Sequence, residues 1–277
     1  MADRYDEYAE YDPDLILTPE FQLLQNLVKN PNDSPEEAVQ QVVELTKAEA
    51  LSGKWPENTI GGDFAWNISH LALDIATNTK PENQLNLLDF LKKLQKVAVM
   101  DPRTGEQLMH DHEKLWTELP CVGYYSSGLQ DFSHFTQHTP EEMEKWENRN
   151  TFFARATATS KPLDDKSDSF DPLDFSLLAY FELNGAFEPE DVYETAVRTV
   201  CIWYIHAAEK LWYNCRMGRD HTNENTPDRK FDLNKWGFWK RELIAASGVY
   251  EEGGTQKLIK EAMECRLYGW LKIKVLL

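Results

Sequence analysis

Helix-start signals recur along this chain and constrain its fold more than any other feature. Three segments place Ser or Thr before Pro and Glu: Thr18-Pro19-Glu20, Ser34-Pro35-Glu36-Glu37 and Thr139-Pro140-Glu141-Glu142. The hydroxyl can cap free amides, Pro fits the first helical position, and Glu complements the helix dipole. Apolar residues then recur at helical spacing, whereas alternating β-branched runs with hairpin dipeptides are almost absent. The sequence therefore predicts an all-α fold.

The longest apolar pattern predicts the centre of this fold. Residues 188–217 carry apolar and aromatic side chains around most of a helix circumference, which is typical of a central helix. We expect an irregular bundle of about nine to eleven helices around this long aromatic helix. Two further expectations are a short helix at 106–118 and a helix that starts at Asp171-Pro172.

The domain organisation follows from composition and from one long irregular stretch. Residues 1–13 are mostly Tyr, Asp and Glu, so we expect a disordered acidic tail. Residues 14–277 are predicted to form a single helical domain. The alternative is an N-terminal helical subdomain at 14–118, a connector at 119–138 and a C-terminal helical core at 139–272, because periodicity is lost in the connector.

The charge of the chain disfavours two classes of partner. It carries 47 acidic and 29 basic residues, a formal net charge of −18, which repels phosphate backbones and anionic membrane surfaces. No stretch reaches the roughly 20 apolar residues of a membrane span, and no signal peptide is visible. The cysteines are scattered singly and are expected to be reduced, buried thiols: Cys121, Cys201, Cys215 and Cys265. We expect a cytosolic protein, with the nucleus as an open alternative, that binds neither nucleic acid nor membrane.

The second half of the chain resembles a known family. The segment WENRNTFFARATA (146–158) is similar to the opening of a fungal all-helical family catalogued only as a domain of unknown function, through Trp146, Asn150, Ala154 and Arg155. Four later segments fit the same pattern: FSLLAYFELN (175–184), VCIWYIHAAEKLW (200–212), KWGFWKREL (235–243) and TQKLIKEAMECR (255–266). The resemblance covers roughly residues 140–270. It implies a fungal source and a role in small-molecule metabolism, but no established chemistry.

Two motifs partly match the sequence signatures of known enzyme classes. DDKSD (164–168) matches the aspartate pattern that holds Mg²⁺ and diphosphate in terpene cyclases, but it lies between prolines, and we predict a solvated acidic loop. GYYSSG (123–128), with Asp131 and His134 nearby, suggests a serine hydrolase, but the spacing is not GxSxG and no strand precedes it.

Four histidines lie close together in the sequence, at His110, His112, His134 and His138. On a helix, His134 and His138 would share one face, but a zinc site needs a third ligand and a supporting second shell. HFTQH also lacks the Glu of the HExxH pattern. We expect exposed loop histidines, no metal site and no cofactor.

The aromatic helix carries the strongest candidate site. His206 and Glu209 are three residues apart and therefore close on a helix, and Arg155 is the natural partner for Glu209. These three are the candidate catalytic residues. The expected ligand-binding aromatics are Trp203, Tyr204, Trp212, Trp236, Phe238 and Trp239. The alternative is a filled aromatic core with one buried ion pair, since a Glu on that surface would have to pair or protonate.

Two functions remain after these exclusions. The first is a cofactor-independent binder of an apolar small molecule, or an enzyme of the cyclisation or isomerisation type, with a cavity above ~300 Å³ between the aromatic helix and Trp236–Trp239. The second is a non-enzymatic helical module that binds a protein partner or a second copy of itself. It predicts that some of the nine tryptophans lie in an exposed apolar patch.

Overall fold

A computed structural model describes residues 15, 17–128, 132–134, 136–161, 171–187, 192–222, 229–250 and 252–273. The predicted tail at 1–13 and the DDKSD motif at 164–168 lie outside these residues. Ten α-helices occur in the described ranges: α1 Pro19–Lys29, α2 Pro35–Leu51, α3 Gly62–Thr77, α4 Leu85–Leu94, α5 Pro120–Gly128, α6 Pro140–Thr159, α7 Ser176–Gly185, α8 Glu194–Met217, α9 Leu233–Ala246 and α10 Gly253–Ile273. The all-α prediction is confirmed.

The three helix-start signals act as predicted. The hydroxyls of Thr18, Ser34 and Thr139 accept hydrogen bonds from amides in the first turns of α1, α2 and α6. At Thr139 the full capping box forms, because the Glu142 carboxylate also accepts from the Thr139 amide at 2.6 Å. These boundaries are local, since each depends on four or five adjacent residues.

The predicted helix at 106–118 is wrong. This segment holds a two-stranded antiparallel hairpin of β1 Met109–His110 and β2 Glu113–Lys114. The two turn residues, Asp111 and His112, have φ angles of 44° and 76°, the left-handed geometry of a tight hairpin turn. The Met109 carbonyl accepts from the Ile60 amide at 3.0 Å, so a distant segment also holds the hairpin.

Two other boundaries differ from the predicted ones. Helix α5 lies within the predicted connector at 119–138. Helix α7 starts at Ser176 and not at Asp171-Pro172, because the Asp171 and Asp174 carboxylates accept from the Leu173 and Ser176 amides in turns that precede it.

Contacts divide the chain into two compact units, the first formed by residues 1–131 and 171–173. In this unit α1 packs against α2, α3 and α4, and α3 packs against α5. The buried indole of Trp116 donates to the Thr46 hydroxyl at 3.0 Å. The Asp101 carboxylate, also buried, accepts from Arg103 at 2.7 Å and from the Asn58 amide at 2.7 Å. The Arg103 guanidinium holds the pKa of the Asp101 carboxyl well below its usual range.

The second unit contains residues 132–170 and 174–277 and is organised by α8. This helix, the longest among the described residues, packs against α6, α7, α9 and α10. The prediction of a long central aromatic helix is therefore confirmed for this unit. Its largest core side chains include Trp203, Tyr204 and Trp239, all essentially inaccessible to solvent. Such aromatics supply much of the apolar area that holds a small unit together.

Candidate functional site

One face of α8 carries a row of polar side chains that line a pocket. His206, Glu209, Lys210 and Tyr213 follow one another at spacings of three, one and three residues, which places them on the same side of the helix. Ala158 and Ser160, at the C-terminal end of α6, line a second side of the pocket, and Ala207 of α8 adds a small apolar surface. The pocket has a volume of about 290 Å³, close to the lower end of the roughly 300–1,000 Å³ typical of ligand sites.

Lys210 borders the pocket, but its ammonium group is engaged inside the protein. Nζ donates to the Lys161 carbonyl at 2.8 Å and to the Ser160 carbonyl at 3.4 Å, and lies 3.2 Å from the Asp174 carboxylate. Only 8% of the side chain is exposed. Two hydrogen bonds and one ion pair therefore hold the ammonium group inside the protein.

The Asp174 carboxylate is shared between two cations. Arg219 Nη1 lies 2.6 Å from Asp174 Oδ2, and both side chains are 2% exposed. Ser176 donates to the same carboxylate and in turn accepts from Asn214 at 2.8 Å. Burial alone would raise the pKa of the Asp174 carboxyl, but Arg219, Ser176 and Lys210 together lower it. The buried charges of the cluster are therefore paired with one another, as buried charges require.

His206 is uncharged at neutral pH. Burial, together with the positive charge of nearby Arg155, lowers the pKa of His206 to about 4. A neutral imidazole offers one donor and one acceptor. Among the described residues, the side chains of His206, Glu209 and Tyr213 have no hydrogen-bond partner.

The structure brings together only part of the predicted site. His206 and Glu209 line the same pocket, and Arg155 lies near enough to His206 to affect its pKa. Glu209 is exposed, so it does not face the buried aromatic surface as expected. Lys210, Tyr213 and Ser160 were not in the predicted set. The first two could have been found from their positions four and seven residues after His206.

The predicted aromatic side chains do not line this pocket. They belong to the core or its edge: Trp203, Tyr204, Trp236 and Trp239 are buried, and Trp212 and Phe238 are half-buried. The rings of Tyr204 and Trp236 are in contact, with centroids 5.2 Å apart. Of the eight tryptophans whose side chains the structure describes, none is exposed. The exposed tryptophan patch expected of an interaction module is therefore not found among them.

The resemblance residues of α6 face α8. The Trp146 indole donates to the Thr199 hydroxyl at 2.8 Å, and the Asn150 carbonyl accepts from the Trp203 indole at 3.0 Å. Ala154, on the same helix, is completely buried. This part of the pattern thus encodes the packing of α6 against α8.

Most of the clustered histidines are not exposed, contrary to prediction. His110 is buried, with Nδ1 3.1 Å from the Ile60 carbonyl and Nε2 3.5 Å from Cys121 Sγ. His134 and His138 are half-buried, and only His112 of the four is exposed. Across the described ranges, no three His, Cys, Asp or Glu side chains are placed to share a metal ion.

The serine-hydrolase-like motif forms part of a helix and does not form a nucleophile elbow. The described part of GYYSSG belongs to α5, where the Ser126 hydroxyl donates to the Gly123 carbonyl at 2.8 Å. Asp131 lies outside the described residues.

Three of the four cysteines are buried free thiols: Cys121, Cys201 and Cys215. Burial raises the pKa of Cys121 to about 11 and the pKa values of Cys201 and Cys215 to about 12. Cys265 is exposed, so the prediction of burial is wrong for this residue. No described helix combines the length and apolar character needed to cross a membrane.

A family model matches residues 69–243, which is more than half of the 277-residue chain, and its description is "Protein of unknown function (DUF3632)". The chain belongs to the DUF3632 family. The matched range starts within α3, well before residue 140 where the sequence resemblance starts, and ends in α9. It contains His206, Glu209, Lys210 and Tyr213. Comparisons with curated proteins and with solved structures give no match.

Proposed function

We propose that this DUF3632 protein binds a small molecule rich in hydrogen-bond donors, such as an amine or a polyol, in the α8 pocket. The observation that carries the proposal is that three polar side chains on one pocket wall, those of His206, Glu209 and Tyr213, have no hydrogen-bond partner among the described residues. The side chains of His206 and Tyr213 are partly shielded from water and gain from a bound partner, and Glu209 adds an exposed carboxylate to the same wall.

The donor and acceptor balance of the pocket supports this ligand class. An ionised Glu209 can only accept hydrogen bonds, and the Ser160 hydroxyl already donates to the Thr157 carbonyl at 2.7 Å, so it too is left as an acceptor. The Lys210 ammonium group is directed to two backbone carbonyls and to Asp174, and not to the pocket. The pocket therefore has more acceptors than donors. A ligand that supplies N–H or O–H groups complements it.

Electrostatics favours an amine over an acid. The formal charge of −18 concentrates cations and repels anions near the protein. Within the pocket the Lys210 charge is balanced by Asp174, which leaves Glu209 as the exposed charge of the wall. Arg155 lies beside His206, so an amino group would bind at the Glu209 end. The ring of Tyr213 offers the cation a π-face.

Binding is better supported than catalysis. A histidine with a pKa of about 4 is a weak base at neutral pH, whereas efficient general bases have pKa values near the working pH. The cyclisation or isomerisation activity, the fungal source and the role in small-molecule metabolism stay predictions. A cytosolic location is part of the proposal, supported by the four free cysteines.

The first experiment is native mass spectrometry of gently purified protein, followed by thermal-shift assays with three probes of matched size: a primary alkylamine, a polyol and a carboxylate. We expect the amine or the polyol, but not the carboxylate, to raise the unfolding temperature in a concentration-dependent way. Saturation at 100 times the dissociation constant adds about 2.7 kcal/mol of stability.

Substitution of an exposed alanine tests whether binding occurs in this pocket. Ala158→Trp fills the pocket from its exposed wall, and Ala245→Trp changes an equally exposed alanine of α9 that is not part of it. We expect the first variant to lose the thermal shift and the second to keep it. Equal shifts in both variants, or no response to any donor-rich probe, would show that the proposal is wrong.

A further inference from the structure

A second polar group lies at the other end of α8. His134 Nδ1 is 2.9 Å from Thr195 Oγ1, and His134 Nε2 is 3.1 Å from Glu182 Oε2. Thr195 precedes His206 by 11 residues, which is roughly 16 Å along the helix axis. The group is therefore separate from the α8 pocket. The side chains of His134 and Glu182 are 14% and 15% exposed, so solvent molecules can reach them.

One tautomer of a neutral His134 ring satisfies both of its contacts. An ionised carboxylate can only accept a hydrogen bond, so in this pair the Nε2–H group of His134 donates to Glu182. In a neutral ring Nδ1 then carries a lone pair, and the Thr195 hydroxyl must be the donor. The three groups therefore form a chain of hydroxyl, imidazole and carboxylate. The Thr195 hydroxyl donates to His134 Nδ1, and the Glu182 carboxylate accepts from the other ring nitrogen, Nε2. This order activates nucleophilic hydroxyls in acyl-transfer enzymes.

Aromatic rings fix the imidazole in this orientation. Phe132 stacks between His138 and Trp146, with centroid distances of 4.0 and 4.3 Å. The edges of this stack contact His134, whose ring centroid lies 5.2 Å from that of Phe132 and 5.8 Å from that of Trp146. The rings shield one side of the imidazole from water. Shielding strengthens electrostatic interactions and keeps the polar groups organised.

Thr195 lies in the first turn of α8, where backbone amides can stabilise negative charge. Thr195 is the second residue of α8. The Val197 amide makes the hydrogen bond that opens the helix, by donating to the Tyr193 carbonyl. The amides of a first helical turn have no partner in their own helix and carry partial positive charge. They belong to the same helical turn as Thr195, so their positive charge would favour the negative charge that develops on a carbonyl oxygen during attack.

Charge near Thr195 selects the kind of electrophile. Glu182 contacts the imidazole and Glu194 precedes Thr195, so anionic phosphoryl groups are repelled. Arg198 is engaged by Glu147 at 2.5 and 2.9 Å and by Thr255, and is not available to neutralise a phosphate. A neutral carboxylic ester avoids this repulsion.

We propose that Thr195 is a nucleophile that accepts an acyl group from a small neutral carboxylic ester, with His134 as general base and Glu182 as its orienting carboxylate. Thr195 Oγ1 forms a bond to the carbonyl carbon, and its proton moves to His134 Nδ1. The bond between that carbon and the ester oxygen breaks, and the proton passes from His134 to the departing alkoxide. Water then attacks the acyl-threonine through the same base, which releases the acid and restores the hydroxyl. No redox partner or cofactor is needed.

The test is acetylation of the full chain by p-nitrophenyl acetate, with p-nitrophenolate release followed by absorbance and the modified residue located by peptide mass spectrometry. We expect acetyl on Thr195 in the unsubstituted protein. Thr195→Val should lose both the label and the associated release, and Thr195→Ser should keep them. Loss of the general base in His134→Gln should slow release by about 10²–10⁴-fold.

The control is Thr159→Val, which removes an exposed hydroxyl at the end of α6 and should leave the label unchanged. Urea unfolding of each variant verifies that the fold is intact. Label found only on lysines or on other hydroxyls, or release that is the same in Thr195→Val, would overturn the proposal and leave His134 as a structural contact between its segment and helices α7 and α8. Because the label is mapped on the unsubstituted chain, this outcome does not depend on any variant folding.

Discussion

Lys210 Nζ lies 3.2 Å from Asp174 Oδ2, with 8% and 2% of the two side chains exposed. The same carboxylate oxygen lies 2.6 Å from Arg219. Two cations therefore share one acid inside the second unit. Because Lys210 also borders the α8 pocket, the ionic cluster supports one side of the candidate binding site.

Removal of the shared acid should destabilise the second unit strongly. In Asp174→Ala the charges of Arg219 and Lys210 stay buried without this carboxylate, and loss of one partner of a buried pair costs about 3–5 kcal/mol. The free energy of unfolding in urea measures the effect. Glu141→Ala is the control, since it breaks a surface pair with Lys145 of the same unit at 2.9 Å, and such pairs contribute about 0.5 kcal/mol or less. Equal losses in the two variants would contradict the importance of the buried cluster.

Stability should fall as the pH drops from about 6.5 to about 4. Burial lowers the pKa of His206 and of His221 to about 4 from the ordinary value of 6.5, aided by Arg155 and Arg219 respectively. In this window the unfolded chain binds protons that the folded chain does not, so acidification favours unfolding by up to about 1.4 kcal/mol per pH unit for each histidine. The lowered pKa of Asp174 adds a further loss at still lower pH.

Urea unfolding from about pH 7 to about pH 5 checks this dependence. His206→Gln and His221→Gln should each flatten the profile, because the substituted side chain no longer binds a proton in the unfolded state. His112→Gln, at an exposed hairpin residue, controls for the loss of a histidine as such. A profile that is flat in the unsubstituted protein would show that neither histidine is desolvated in solution.

Features that depend on residues close together in the sequence could be predicted, such as helix starts and side-chain pairs on one helix. Thr18, Ser34 and Thr139 mark helix starts because the capped amides lie within three positions of each hydroxyl. The proximity of His206 and Glu209 could be predicted for the same reason, since a separation of three residues on a helix brings side chains together.

Features that depend on distant residues were missed. The hairpin at 109–114 has only two residues in each strand, and its Met109 carbonyl accepts from the Ile60 amide. The next residue, His110, contacts the carbonyl of the same Ile60 across 50 residues. The acid at Asp174 meets Arg219 across 45 residues, and His134 meets Thr195 across 61. No periodicity relates such positions in one sequence, so only the tertiary fold shows that they meet.

A methyl group at Gly61 should destabilise the first unit. A Cβ atom there would lie 1.9 Å from the Trp55 ring, which must then move and lose its hydrogen bond to Glu49 at 2.9 Å. We expect Gly61→Ala to cost about 1–3 kcal/mol, the usual range for overpacking. Thermal unfolding measures the loss, and tryptophan fluorescence reports on displacement of the ring.

The matched control for this change is Gly123→Ala in α5 of the same unit. A Cβ at Gly123 meets nothing within 4 Å, and Ala is favoured over Gly inside a helix by roughly 1 kcal/mol. This variant should be neutral or slightly more stable. If both substitutions had the same effect, the close approach of Gly61 to Trp55 would not be present in solution.

Asn150 should be essential for the packing of α6 against α8. Its side-chain carbonyl accepts from the buried indole of Trp203 at 3.0 Å, and its amide group donates to the Trp146 carbonyl at 3.0 Å. Asn150→Ala leaves the indole N–H buried without an acceptor, which costs about 1–3 kcal/mol. Asn234→Ala, at an exposed position of α9, should change stability little.

A double-mutant cycle separates this hydrogen bond from simple loss of volume. Trp203→Phe removes the N–H donor, so adding Asn150→Ala to it should cost less than the same change in the unsubstituted protein, because no orphaned donor is then created. We expect a coupling of about 1 kcal/mol between the two positions in urea unfolding. Strictly additive losses would mean that Asn150 stabilises α6 by its own contacts and does not link it to α8.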